Sequence, residues 1–199
     1  FPEYYFAKYN AGMNLMAEPL LLFETVLVED LSILQFIDSD FSYRSPMLTT
    51  WYDAAKPVAF HGPGALVFKR IPVTDRRQGG IFTNAAIMTM TSRSDQTQPI
   101  TRGAWVATVI LNDPPAPPPA DVPLLKNVDD PAAELSIKEK FAAHQENASC
   151  ASCHRKIDPL GFVLENYNPV GFWRDEYSDG KPVESNGVLL GQHAFSNIV

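Results

Sequence analysis

Cys150-Ala151-Ser152-Cys153-His154 holds both cysteines of the 199-residue chain, and its C-x-x-C-H spacing decides how the rest is read. Two thiols three positions apart on the first turn of a helix reach the two vinyl groups of a porphyrin, and the next residue supplies an imidazole to the iron. The stretch therefore reads as an attachment site for one covalent haem c, with Cys150 and Cys153 as anchors and His154 as the proximal ligand. Three other readings use the same residues. A thioredoxin-like redox pair opens a helix after a strand, whereas the residues before Cys150 look helical. A zinc site needs a fourth ligand from His144, His193 or a carboxylate. A plain disulfide over so short a loop adds little chain-entropy stabilisation.

Upstream, Asp130-Pro131 followed by Glu134 predicts a helix start, with proline in the first turn and acids at the positive end of the dipole, running to about Gln145. Downstream, Asp158, Pro159, Gly161, Asn166, Asn168, Pro169, Gly171, Asp179 and Gly180 make a turn-rich segment that could wrap a porphyrin face. The ring nitrogen of His154 opposite the iron needs an acceptor to fix its tautomer. The Pro159 carbonyl is one candidate, and the alternative is that Pro159 merely stops the helix. Leu160, Phe162 and Tyr167 are expected to line the haem edge and lower the local dielectric. No methionine follows His154, so the distal ligand must come from Met88, Met90 or Met47, from His61, His144 or His193, or be absent. As a strand, the segment around Met88 and Met90 puts both on one face; as a helix, it puts them nearly opposite.

The proline run between Asp113 and Pro123 excludes a helix, because proline lacks a donor and fixes φ, and predicts an extended polyproline strut. The expected organisation is a mainly helical N-terminal domain at 1–112, incomplete at its start, a linker at 113–123, and a loop-rich, cytochrome c-like haem segment at 124–199, truncated at its end. In the N-terminal part, apolar positions from Leu21 to Ile37 predict two helices, one after Pro19 and one beginning near Asp30 or Ser32. Further expectations are a helix after Pro46, a strand at Leu66-Val67-Phe68, helix or strand over Ile81–Ser92, and a buried helix over Thr101–Leu111. Arg76, Arg77 and Arg102 read as surface charges, with haem propionates as alternative partners.

Sixteen Lys and Arg against 23 Asp and Glu leave a net charge of -7, which disfavours nucleic-acid or anionic-membrane partners. No stretch approaches the roughly 18 apolar residues of a membrane span. The chain opens on Phe1 with no secretory leader behind it, so it reads as a processed product or a piece.

The order of motifs resembles the planctomycete-type cytochrome c proteins, which string several uncharacterised domains together. The resemblance starts at Leu22-Phe23-Glu24-Thr25-Val26-Leu27 and Glu29-Asp30-Leu31-Ser32-Ile33-Leu34. It continues through Gly79-Gly80-Ile81, Thr89-Met90-Thr91-Ser92, Pro99-Ile100-Thr101-Arg102-Gly103-Ala104-Trp105-Val106 and the proline run. It ends in the haem motif with Arg155-Lys156-Ile157-Asp158-Pro159-Leu160-Gly161-Phe162 and Leu164-Glu165-Asn166. One departure is Gln96-Thr97-Gln98-Pro99, where the family pattern has Arg-Thr-Ser-Pro. The resemblance implies a predominantly helical, exported, periplasmic haem protein.

Two function classes follow, and a third beside them. The first is a monohaem electron carrier serving redox protein partners, either alone or within a larger electron-transfer or membrane-associated complex. The second is a haem enzyme with an open distal position, using a group such as His61 or Arg102 near the iron. The third is a haem-bearing structural subunit, with the five aromatic residues between Phe1 and Tyr9 as its contact.

Overall fold

A computed structural model describes residues 2–53, 66–117, 136–139, 148–189 and 191–199, the side chains of 2–11, 148 and 149 excepted. The chain forms two compact units. The first comprises the residues up to Met90 together with Pro169–Phe172, and the second comprises Thr91–Asn168 and Trp173–Ile198. The architecture is helix-rich and, among the described residues, also contains two two-stranded antiparallel sheets, which the mainly α expectation omitted.

In the first unit, helix α1 (Pro2–Val28) runs straight through Pro19 and takes in the aromatic lead-in. The two helices expected around Pro19 and Asp30 are instead this one helix and a short 3-10 turn, Ile33–Phe36, capped by Ser32. Asp30 takes a positive φ of 52° where the chain leaves α1. One face of α1 buries Leu15, Glu18, Leu22, Thr25 and Val26. Leu15 packs with Leu48 of α2 (Pro46–Tyr52) and Ala85 of α3 (Ala85–Met90), while Leu22 and Val26 pack with Phe41 of strand β1 (Phe41–Arg44). Ser45 caps α2, and Pro46 occupies its first turn, where a missing N–H costs nothing. Strand β2 (Lys69–Pro72) pairs with β1 in the register Phe41 to Pro72, so the strand lies just after the expected Leu66-Val67-Phe68.

A buried polar knot holds this unit together. Glu18 of α1 pairs with Arg44 and accepts hydrogen bonds from the Ser42 hydroxyl at 2.8 Å and the Tyr52 hydroxyl at 2.8 Å. The Arg44 guanidinium also lies 4.0 Å from the centre of the Tyr52 ring. Burial, with the Glu18 charge adding to it, holds the Tyr52 phenol well above its ordinary value, so it stays protonated and donates. The Trp51 indole donates to the Val170 carbonyl at 3.1 Å, which ties Pro169–Phe172 to α2.

The second unit is built on two helices, α4 (Pro99–Trp105), which continues as a π-helical turn Val106–Ile110, and α5 (Ala148–Phe162). They cross at two glycines. A Cβ on Gly103 would lie 2.0 Å from the Ile157 carbonyl oxygen, and one on Gly161 would lie 1.8 Å from the Pro99 carbonyl oxygen. Backbone therefore meets backbone, with no space for any side chain. With α4 packed on α5, the division between the two compact units falls after Met90. Residues 113–117 carry neither helix nor strand, and the rest of the expected 113–123 strut lies outside the described residues.

Within the expected 130–145 helix, only 136–139 are described. There Ser136 and Glu139 form a reciprocal capping box, the Glu139 carboxylate accepting from the Ser136 N–H at 2.7 Å and the Ser136 hydroxyl from the Glu139 N–H at 3.2 Å. A helical turn thus opens at Ser136, inside the span where an unbroken helix from Asp130 was expected. After α5 the chain turns repeatedly, as its Gly, Pro and Asn content predicts. The second two-stranded sheet follows, β3 (Gly187–Leu189) paired antiparallel with β4 (His193–Phe195). Among the described residues no helix is long and apolar enough to cross a membrane.

The glycine crossing makes a direct prediction. Gly103→Ala and Gly161→Ala each destabilise the protein by about 3 kcal/mol, because a backbone atom and not a flexible side chain must move. Gly12→Ala, at an α1 position with nothing within 4 Å, stabilises it by up to about 1 kcal/mol. Denaturant unfolding followed by circular dichroism measures all three.

Candidate functional site

Cys150, Cys153 and His154 sit in the first turns of α5. At about 100° per residue, the i, i+3, i+4 spacing gathers them within an arc of about 100°. All three are half-buried. The same stripe continues down the helix as Ile157 and Gly161, the positions that seat α5 on α4. The crossing therefore fixes both where α5 lies and which way its Cys-Cys-His face turns. Cys150 and Cys153 are not joined in a disulfide.

His154 is held from within its own helix. Its Nδ1 lies 2.9 Å from Oδ1 of Asp158, one helical turn on, and the two side chains are 16% and 7% exposed. This replaces the expected contact with Pro159. Nor does Pro159 stop the helix, since α5 runs on to Phe162 and the Pro159 carbonyl accepts from the Val163 N–H at 3.3 Å. A carbonyl inside a helix points along the axis toward the following turn, away from a side chain five residues earlier. The His154/Asp158 spacing is itself legible as a helical i, i+4 pair once α5 is known to continue past His154.

Leu160, Phe162 and Tyr167, expected at a haem edge, are core residues of this unit, 8%, 4% and 1% exposed. Tyr167 meets Trp173 edge to face, with ring centres 5.3 Å apart. Lys156 on α5 forms an ion pair with Asp113, the residue that opens the proline run.

The largest departure from the sequence reading is Arg102. Expected on the surface, it is fully buried, and its guanidinium donates to the carbonyls of Leu164 at 2.9 Å, Tyr167 at 2.7 Å and Asn168 at 3.1 Å, and to the Ser92 hydroxyl at 3.0 Å. Glu165, equally buried, lies 3.5 Å from it. Glu165 accepts from Thr97 at 2.7 Å, from Arg174 at 3.1 Å and from Tyr177 at 3.3 Å. Burial pulls the Arg102 guanidinium down to about 10, with Glu165 opposing, so it stays charged at neutral pH. Burial pushes the Glu165 carboxyl up, with Arg102 and the Thr97 hydrogen bond pulling it back. Arg102 is thus spent on cross-linking α4 to the turn after α5, which rules out the propionate and distal-donor roles. Arg76 and Arg77 do lie at the surface, paired with Asp38 and Asp75.

Met88 and Met90 fall on a helix, so they face opposite ways. Met88 is fully buried and Met90 is 61% exposed, both in the first unit. Met47 is also buried there, at 6%. The sequence of the second unit contains no methionine at all. His193 lies on the exposed strand β4, whereas His61 and His144 lie outside the described residues. Among the described residues, no group of three or more His, Cys, Asp and Glu side chains is gathered to hold a metal ion.

The family described as PSCyt3, protein of unknown function (DUF1588), matches residues 77–177, just over half of the chain. The chain belongs to this family. It is a domain family named for planctomycete cytochrome c proteins. The matched region of this PSCyt3 chain contains α4, α5, the C-x-x-C-H stretch and the Arg102–Glu165 pair. No curated protein matches the chain. No solved structure matches it either.

Removing one member of a buried ion pair strands the other charge. Arg102→Met or Glu165→Leu alone costs about 3–5 kcal/mol, while the double variant recovers part of that loss. A double-mutant cycle by denaturant unfolding reads the coupling.

Proposed function

We propose that this chain is an exported monohaem c-type cytochrome that passes single electrons between redox protein partners. The observation that carries the reading is the arrangement on α5: two thiols and an imidazole share one half-buried helical face, and the imidazole is already oriented through Nδ1. That donor set fits haem c. Cys150 and Cys153 would hold the porphyrin by thioether bonds, and Nε2 of His154 would ligate the iron. Haem c, when bound, supplies reversible one-electron chemistry.

The residues around this face perform the remaining tasks. The Gly103–Gly161 crossing holds the two cysteines in register on one rigid helix. Arg102 and Glu165 hold the turn after α5 against α4 without exposing charge at the site. An acidic chain of net charge -7 favours a basic redox partner, through electrostatic steering at low ionic strength. Export follows from covalent haem attachment taking place outside the cytoplasmic membrane, as the family resemblance implies.

Visible absorption of the reduced protein, before and after acid-acetone extraction and with carbon monoxide, tests the reading. The expected result is a sharp α band that survives extraction and ignores carbon monoxide. Cys150→Ala with Cys153→Ala abolishes the extraction-resistant band. Carbon monoxide binding would instead place a haem enzyme with an open distal position ahead. A chain that takes up no haem when expressed with a cytochrome c maturation system sinks the proposal.

A further inference from the structure

We propose that Asp158 is the positioning residue for His154, holding the imidazole by Nδ1 so that Nε2 is the iron ligand, and that its carboxylate sets the iron potential lower than a backbone acceptor would. The inference rests on the haem reading above and adds what tunes that site. Three observations carry it. The two side chains are one turn apart on the same helix, the spacing at which helical neighbours meet. The Nδ1 to Oδ1 distance is 2.9 Å, within the range of a charge-assisted hydrogen bond. The Asp158 side chain is 7% exposed, so its field at the ring is not screened as a surface carboxylate's would be.

A backbone carbonyl accepting from an iron-ligating imidazole offers a neutral dipole. A carboxylate draws the Nδ1 proton more strongly, which makes the opposite nitrogen a better electron donor. Stronger donation favours the ferric over the ferrous state, and the potential falls. The Pro159 carbonyl, the neutral acceptor considered first, lies inside α5 and accepts from the Val163 N–H at 3.3 Å. The rotamer is fixed by the helix as well. Asp158 lies on the buried side of α5 beside Ile157, so its side chain has little freedom to turn from the histidine.

The experiment compares the full chain, haem-loaded, as wild type, Asp158→Asn and Asp158→Glu. Asp158→Asn keeps the shape and removes the charge. At a fixed poise it should lower the oxidised-to-reduced ratio about tenfold, equivalent to about 59 mV for one electron. Asp158→Glu restores a carboxylate and should move the potential back toward wild type. In the haem-free chain, nitrogen NMR should show His154 with its proton on Nδ1 in wild type and a shift toward the Nε2 tautomer in Asp158→Asn. An unchanged potential in haem-loaded Asp158→Asn overturns the inference and leaves the haem reading standing. If Asp158→Asn fails to take up haem, an unchanged His154 tautomer overturns it. A wild-type chain that takes up no haem overturns both.

Discussion

At Gly103 and Gly161, α4 and α5 come so close that a single methyl group at either position would strike the other helix's backbone. Everything in the second unit follows from that contact. It brings Ile157 and Gly161 down on α4, and because Cys150, Cys153 and His154 continue the same stripe toward the helix start, it also fixes their direction. A helix held by side-chain packing alone can rotate or slide by repacking. One held backbone to backbone has a single register, which suits the haem c attachment proposed for Cys150, Cys153 and His154.

Buried charge is the second constraint, and each unit uses it in the same way. In the first unit Glu18 gathers Arg44, Ser42 and Tyr52. In the second, Arg102 gathers three backbone carbonyls and Glu165. The turn after α5 makes several backbone hydrogen bonds of its own and still buries carbonyls, those of Leu164 and Tyr167, that need a further donor. A guanidinium with five donors in a plane satisfies several of them at once, which a lysine could not. The cost of desolvating Arg102 is offset by those bonds and by the nearby carboxylate. The unit gains a defined path for a segment that would otherwise be loop.

Legibility in the sequence followed the range of the interaction. The α2 helix was readable from Pro46, and the turn-rich run after α5 from its glycines, prolines and asparagines, because these are effects of a residue on its own backbone. Pro19 misled, since a lone proline penalty was outweighed by the tertiary packing of one long α1 face. Pro159 misled in the same way, and with it went the expected partner of His154. Arg102 was misread because a charged residue is exposed by default, and its carbonyl partners, more than 60 positions away in sequence, reverse that default.

The sequence by itself determined the chemistry available: two thiols and an imidazole at one spacing, five methionines all before the second unit, and a negative balance of charge. These are properties of residue identity and order, which folding does not alter. Only the tertiary structure decided that α5 continues past Pro159, that Asp158 therefore falls one turn from His154, and that Arg102 closes the core. Each depends on whether a local penalty is repaid by contacts with residues far away in the chain, and that balance exists only once the helices have met.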